Sequence, residues 1–175
     1  MAATDAVRRV DAVIDALDYD FRLFEVDHFL KHLRERRSRP LHLFRYPLEP
    51  ELFAFWLRQD EADFIFVNRT LHWVHTVHCL LHEIAHVVLG HRGQDISKAI
   101  DPAILQEFGI EIALGHFRRG RRSEMSDPGQ EQEAELFVSA IQGRLNQVQR
   151  LSELYGNPTS IAELRPFVDA LGFNS

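Results

Sequence analysis

Apolar positions recur along this chain with two different periods, and the switches between them mark its elements. Val7, Val10, Ile14 and Leu17 fall at helical spacing on one face. Thr4 can cap that first helix, with Asp5 in its opening turn. Phe21, Phe24, Phe29, Leu30 and Leu33 continue an apolar face, carried by a second helix that ends in the charged stretch Arg34 to Arg39, before Pro40. There the period shortens to two. Leu41 to Tyr46 reads as a strand bounded by Pro40 and Pro47, and Leu52 to Leu57 and Asp63 to Val67 read as two more. The polar run Arg58 to Glu61 between the last two suggests a hairpin. The expectation is a small, mostly antiparallel sheet.

Helical periodicity returns near Thr70 and runs to Leu89, where Gly90 is a natural C-terminal stop. Asp101-Pro102 reads as a cap with proline at the first helical position, opening a helix to Ala113. Residues 118 to 130 have the composition of a loop. A further helix is expected from near Gln130, turning Ala134, Phe137, Val138 and Ile141 inward. In the tail, Ser160-x-x-Glu163 is a capping-box pattern, and Pro166 kinks or ends that helix. The sum is an α+β fold with the sheet packed against a helical bundle. It is read as a single domain over 1–175: N-terminal helices 1–39, sheet 40–68, further helices 70–145 and a helical tail 146–175.

Composition narrows the function classes. At 175 residues, 45% apolar and 26% charged, the chain suits one ordinary globular domain. A formal charge of −6 argues against a broad nucleic-acid footprint. Arg118, Arg119, Arg121 and Arg122 read as a solvated loop, so no direct nucleic-acid contact is expected. Cys79 is the one cysteine, which excludes an intrachain disulfide and fits a reducing compartment. The first residues lack the pattern of a signal peptide, and no apolar run approaches the ~20 residues of a membrane span. A cytoplasmic protein is the expectation, with no membrane partner.

One segment changes the picture. His82-Glu83-Ile84-Ala85-His86 is an H-E-x-x-H sequence inside an apolar helical run. Histidines four apart share a helix face, so both imidazoles can reach one tetrahedral Zn²⁺, with Glu83 beside the open position as general base toward a metal-activated water. In a buried helix, two unpartnered histidines and a glutamate would be costly. A third ligand is needed. His91 follows His86 by five residues rather than the six of the three-histidine pattern. It reads instead as a C-terminal histidine favoured by the helix dipole. The better source is the later helix Glu131-Gln132-Glu133-Ala134-Glu135. There Glu131 can complete a His₂Glu site, and small Ala134 would permit close approach. Glu135, on the same face, can accept the second N–H of one imidazole. Glu133 is the alternative ligand. His75 and His78 extend the histidine stripe, with His78 a possible outer or substrate-facing contact. Cys79 reads as core.

These two segments, His82 to His91 and Glu131 to Val138, resemble the ImmA/IrrE-like zinc metallopeptidases. Their patterns are close to H-E-[LIF]-[GA]-H-x-[LIV]-L and E-x-E-A-N-x-F-A. The likeness covers roughly residues 40 to 145, including the strand Phe64 to Asn68. The resemblance implies a zincin-like endopeptidase fold, zinc bound by His82, His86 and Glu131, and Glu83 as catalytic base. It also implies a regulatory protein substrate, such as a helix-turn-helix repressor whose loss relieves transcriptional repression. The chain departs from the pattern at Glu135, where the family has Asn, and at Ser139 to Gly143, where it continues Leu-Met-Pro. An alternative is therefore a non-proteolytic zinc-containing interaction protein that binds a transcriptional regulator or toxin partner. A structural zinc domain would need His91 or Cys79 as fourth ligand.

Overall fold

The computed structural model describes residues 2–48, 50, 52–58, 61–92 and 127–155. The expected helix at 101–113, the loop at 118–126 and the capped tail at 160–166 lie outside the described residues. Those described form a mixed α+β arrangement of four helices and one three-stranded sheet. Helix α1 (Ala2–Ala16) is followed by a 3₁₀ turn at Phe21–Leu23 and by α2 (Val26–Arg36). Strands β1 (Leu41–Tyr46), β2 (Ala54–Arg58) and β3 (Asp63–Asn68) make the sheet. Helix α3 (Trp73–Val88) and the long α4 (Pro128–Tyr155) complete it. Among the described residues no helix is long and apolar enough to cross a membrane.

Strand β2 and helix α3 start two or three residues later than the sequence suggests, and α1 and α4 start earlier. Helix α1 is already under way at Thr4, because Ala2 and Ala3 are strong helix formers and carry the helix past the expected cap. Within it Val10 and Ile14 are buried, but Val7 is exposed. Helix α4 begins at Pro128 rather than near Gln130. Asp127 caps it, with Oδ1 accepting the Gly129 N–H at 2.8 Å. Proline at the first helical position lacks only an N–H that would have no helical partner.

The sheet order is β1-β3-β2, with β2 antiparallel and β1 parallel to β3. The β2–β3 hairpin thus forms, but the sheet is mixed rather than mostly antiparallel. The reason lies in β3, whose residues are almost all buried. A strand apolar on both faces takes the centre of a sheet. The chain reverses direction twice, between β1 and β2 and again at the β2–β3 hairpin, so β1 and β3 run the same way and pair in parallel. Successive side chains of β3 then point to opposite faces. Ile65 and Val67 join the main core with Val10, Ile14, Leu80, Leu81, Ile84 and Phe137, and Phe66 joins a smaller cluster with Leu48, Phe55 and Leu57. Helix α3 packs on β2 and β3 with one side and on α4 with another, while α4 also meets α1. Ala134, Phe137, Val138 and Ile141 of α4 are all buried, as the periodicity predicts.

Asp63 opens β3 with its side chain fully out of solvent. Its carboxylate accepts hydrogen bonds from Arg37, from Arg58 Nε at 3.3 Å and from Trp56 Nε1 at 3.3 Å, and Arg39 Nε lies 3.4 Å away. Burial, with Arg58 and Arg39 nearby, holds the Arg37 pKa below its usual value despite the opposing pull of Asp63. This carboxylate fastens the end of α2, β2 and β3 together. Replacing it by Asn strands partly buried cations, and we expect a loss of about 3–5 kcal/mol in urea unfolding. A loss under about 1 kcal/mol would show that the cluster is solvated enough to need no anion.

Candidate metal centre

Helix α3 forms because its apolar residues recur at helical spacing, and Leu80, Leu81, Ile84, Ala85 and Val87 are buried in the core. That burial fixes its rotation. His82 and His86, one turn apart, are left facing the start of α4. Glu131 sits there in the first helical turn, its N–H donating to Asp127 O at 3.0 Å, in a place where helix polarity favours a carboxylate.

The three side chains converge. Nε2 of His82 lies 3.1 Å from Nε2 of His86 and 3.2 Å from Oε2 of Glu131, and Nε2 of His86 lies 3.7 Å from Oε1 of Glu131. One ligand atom from each falls within 4.8 Å of the others, so the group could hold a metal ion. Four ligands at Zn–N and Zn–O distances of about 2.0–2.1 Å, arranged tetrahedrally, stand about 3.3 Å apart. The 3.1 Å between the two imidazole nitrogens is close to that edge, each histidine has a Glu131 oxygen at 3.2 or 3.7 Å, and two imidazoles with a carboxylate are a donor set that suits zinc.

Charge and burial treat the two histidines differently. For His82, burial opposes protonation, but the hydrogen bond to Glu131 and the charges of Glu83, Glu135 and Glu131 outweigh it and hold its pKa above the usual value. His86 is pushed down to about 4 by burial, with positive charge on His82 next and His91 adding to it, against the pull of Glu131. His86 is thus neutral at ordinary pH and ready to coordinate. Glu83 is buried on α3 between them.

The remaining expected residues are placed as follows. Oε1 of Glu135 is 2.9 Å from Nδ1 of His82, and its Oε2 is 3.8 Å from Nε2 of His78. His75 is exposed, and Cys79 packs partly buried against the core. Glu133 points elsewhere, to Nε2 of His91 at 2.9 Å. His91 is not a solvated helix-end histidine. It is buried, with its Nδ1 2.9 Å from Nδ1 of His86.

The helix stop explains that contact. Gly90 adopts φ +68, the left-handed conformation that glycine takes without penalty. His91 N–H then donates to His86 O at 3.0 Å and Gly90 N–H to Val87 O at 3.4 Å, the paired bonds of a Schellman turn. The turn returns residue 91 to residue 86. That relation was available from the glycine stop and the five-residue spacing. Trp56 was not foreseen either. Its indole stacks on the His86 ring, with centroids 6.2 Å apart and planes 12° from parallel.

No family model, no curated protein and no solved structure matches this chain.

A zinc ion bound at this group would have to displace the proton that His82 holds more tightly than an ordinary histidine. Affinity is therefore expected to fall about tenfold per pH unit below the raised His82 value, with proton release on binding. Chelator competition from about pH 8 down to about pH 5.5 checks this, and a flat profile would contradict it. Ala134 lies in the core shared with α3, where Ala134→Leu overpacks at a cost of about 1–3 kcal/mol. The same substitution is expected to weaken zinc binding by displacing Glu131, as read by chelator competition beside thermal melting.

Proposed function

We propose that this chain is a zincin-like, zinc-dependent endopeptidase. The convergence of His82, His86 and Glu131 on one point is the observation that carries the reading. The sequence resemblance to the ImmA/IrrE-like metallopeptidases supports it. That resemblance also names the substrate class, a regulatory protein such as a helix-turn-helix repressor.

His82, His86 and Glu131 would hold the ion and leave one tetrahedral position open. Zinc bound there would supply Lewis acidity, polarising the scissile carbonyl and acidifying the attacking water. Glu83 is the carboxylate that would serve as base toward that water and as the carrier of its proton to the leaving amine. Glu83 is buried on the same helix as the histidines, and its charge acts on the His82 imidazole. Neutral His86 needs no deprotonation to bind, and Glu135 accepts from His82 Nδ1, which orients that ring.

The test combines metal content with cleavage. Purified protein is expected to hold one zinc per chain and to cut members of a mixed peptide library. Glu83→Gln should keep the zinc and lose about 10²–10⁴-fold in rate, as expected for removal of a general base. Glu131→Ala should lose the zinc. Cleavage that survives Glu83→Gln would overturn the peptidase reading, and zinc retained by Glu131→Ala would overturn the ligand set.

A further inference from the structure

The nitrogen of His86 that faces away from Glu131 is not left to solvent. Its Nδ1 meets Nδ1 of His91 at 2.9 Å, and Nε2 of His91 meets Oε2 of Glu133 at 2.9 Å. Glu133 in turn accepts from Nη1 of Arg9 at 3.1 Å, and Nη2 of the same guanidinium donates to Leu89 O at 2.9 Å. This run ties α1, the corner after α3 and the first turns of α4 to a single imidazole.

Chemistry gives the run a direction. Two ring nitrogens in contact need one donor and one acceptor, and an ionised carboxylate only accepts. Glu133, held by Arg9, therefore takes the Nε2–H of His91. When His91 carries a single proton, its Nε2–H is the one given to Glu133 and its Nδ1 keeps the lone pair. His86 must supply the hydrogen there, so its own lone pair falls on Nε2, the atom nearest His82 and Glu131.

We infer that Arg9, Glu133 and His91 are positioning residues that hold His86 as the Nδ1–H tautomer and present its Nε2 lone pair to a metal ion. The inference deepens the proposed function and rests on that reading. None of the three touches the metal. The packing around His86 supports an orienting role. Its ring is hemmed in by His82, His91 and Trp56, with centroids at 4.9, 5.0 and 6.2 Å. Gly90 sets the corner, since an added Cβ there would meet nothing within 4 Å and the constraint is the positive φ alone.

The full chain without metal is expected to show His86 as the Nδ1–H tautomer in ¹⁵N–¹H long-range correlation NMR. His91→Phe keeps a ring in the buried site and removes both nitrogens. We expect a mixed or Nε2–H tautomer at His86 and a drop of about 10–100-fold in Zn²⁺ affinity by chelator competition. His91→Gln, whose amide can accept from His86 and donate to Glu133, should restore most of that affinity. A merely structural role would not produce the tautomer change. The Nε2–H tautomer at His86 in the unaltered chain would overturn the inference whether or not any variant folds. So would His91→Phe binding zinc as tightly as the unaltered chain. In that last case the metal site itself survives. Failure of the unaltered chain to bind zinc would instead overturn the proposed function.

Discussion

The packing of α3 between the sheet and α4 is the constraint on which the rest depends. Ile84, Ala85 and Leu81 go into the core because leaving them in water would cost roughly 1.5–3 kcal/mol for each large side chain. Once they are buried, the helix has no freedom to rotate. His82 and His86 are carried to the face that meets α4, and α4 is aligned by its own buried stripe, Ala134, Phe137, Val138 and Ile141. The polar site is a by-product of two apolar registries. Neither helix presents its ligands by polar attraction alone, because each hydrogen bond among them contributes far less than the hydrophobic contacts that set the approach.

Around that frame the polar groups are graded by burial. His82 is bordered by carboxylates and keeps its proton readily, whereas His86, one turn deeper, loses it. Two identical side chains four residues apart are thus shifted in opposite directions, because carboxylates outweigh burial at His82, whereas burial with the neighbouring charges of His82 and His91 outweighs Glu131 at His86. Trp56 also joins two buried features. Its ring lies on His86, its N–H reaches Asp63, and Arg58 sits 5.0 Å over its centroid. The arginine cluster at the end of the sheet is therefore continuous with the wall of the candidate metal centre.

Much of this was legible in the sequence where the information is local. The apolar period of residues 73–88, the short apolar run of β3 and the glycine stop each act over a few residues, and each predicted its element. The H-E-x-x-H spacing and the acidic start of α4 pointed to His82, His86 and Glu131 by the same logic. What was missed depends on distant partners or on ambiguous punctuation. Strand order follows from which strand is buried on both faces, a comparison among segments rather than a pattern within one. Asp127-Pro128-Gly129 is equally good turn and cap chemistry, so the start of α4 was placed late. Glu133 shares its helix with Glu131 but points about 200° away, given two steps of a 3.6-residue turn. Arg9 stands 124 residues from Glu133, and no local rule connects them.

The spacing of the contacts has one more consequence. His82 and Glu131 are 49 residues apart and His91 and Glu133 are 42, so an ion held by both helices would act as a clasp across a long stretch of chain. Loop-closure entropy grows only with the logarithm of length, about 0.6 kcal/mol for each doubling. The number of residues between the two anchors therefore enters such a clasp only weakly, and its strength would be governed by how firmly His82, His86 and Glu131 are held in place at the two helix ends.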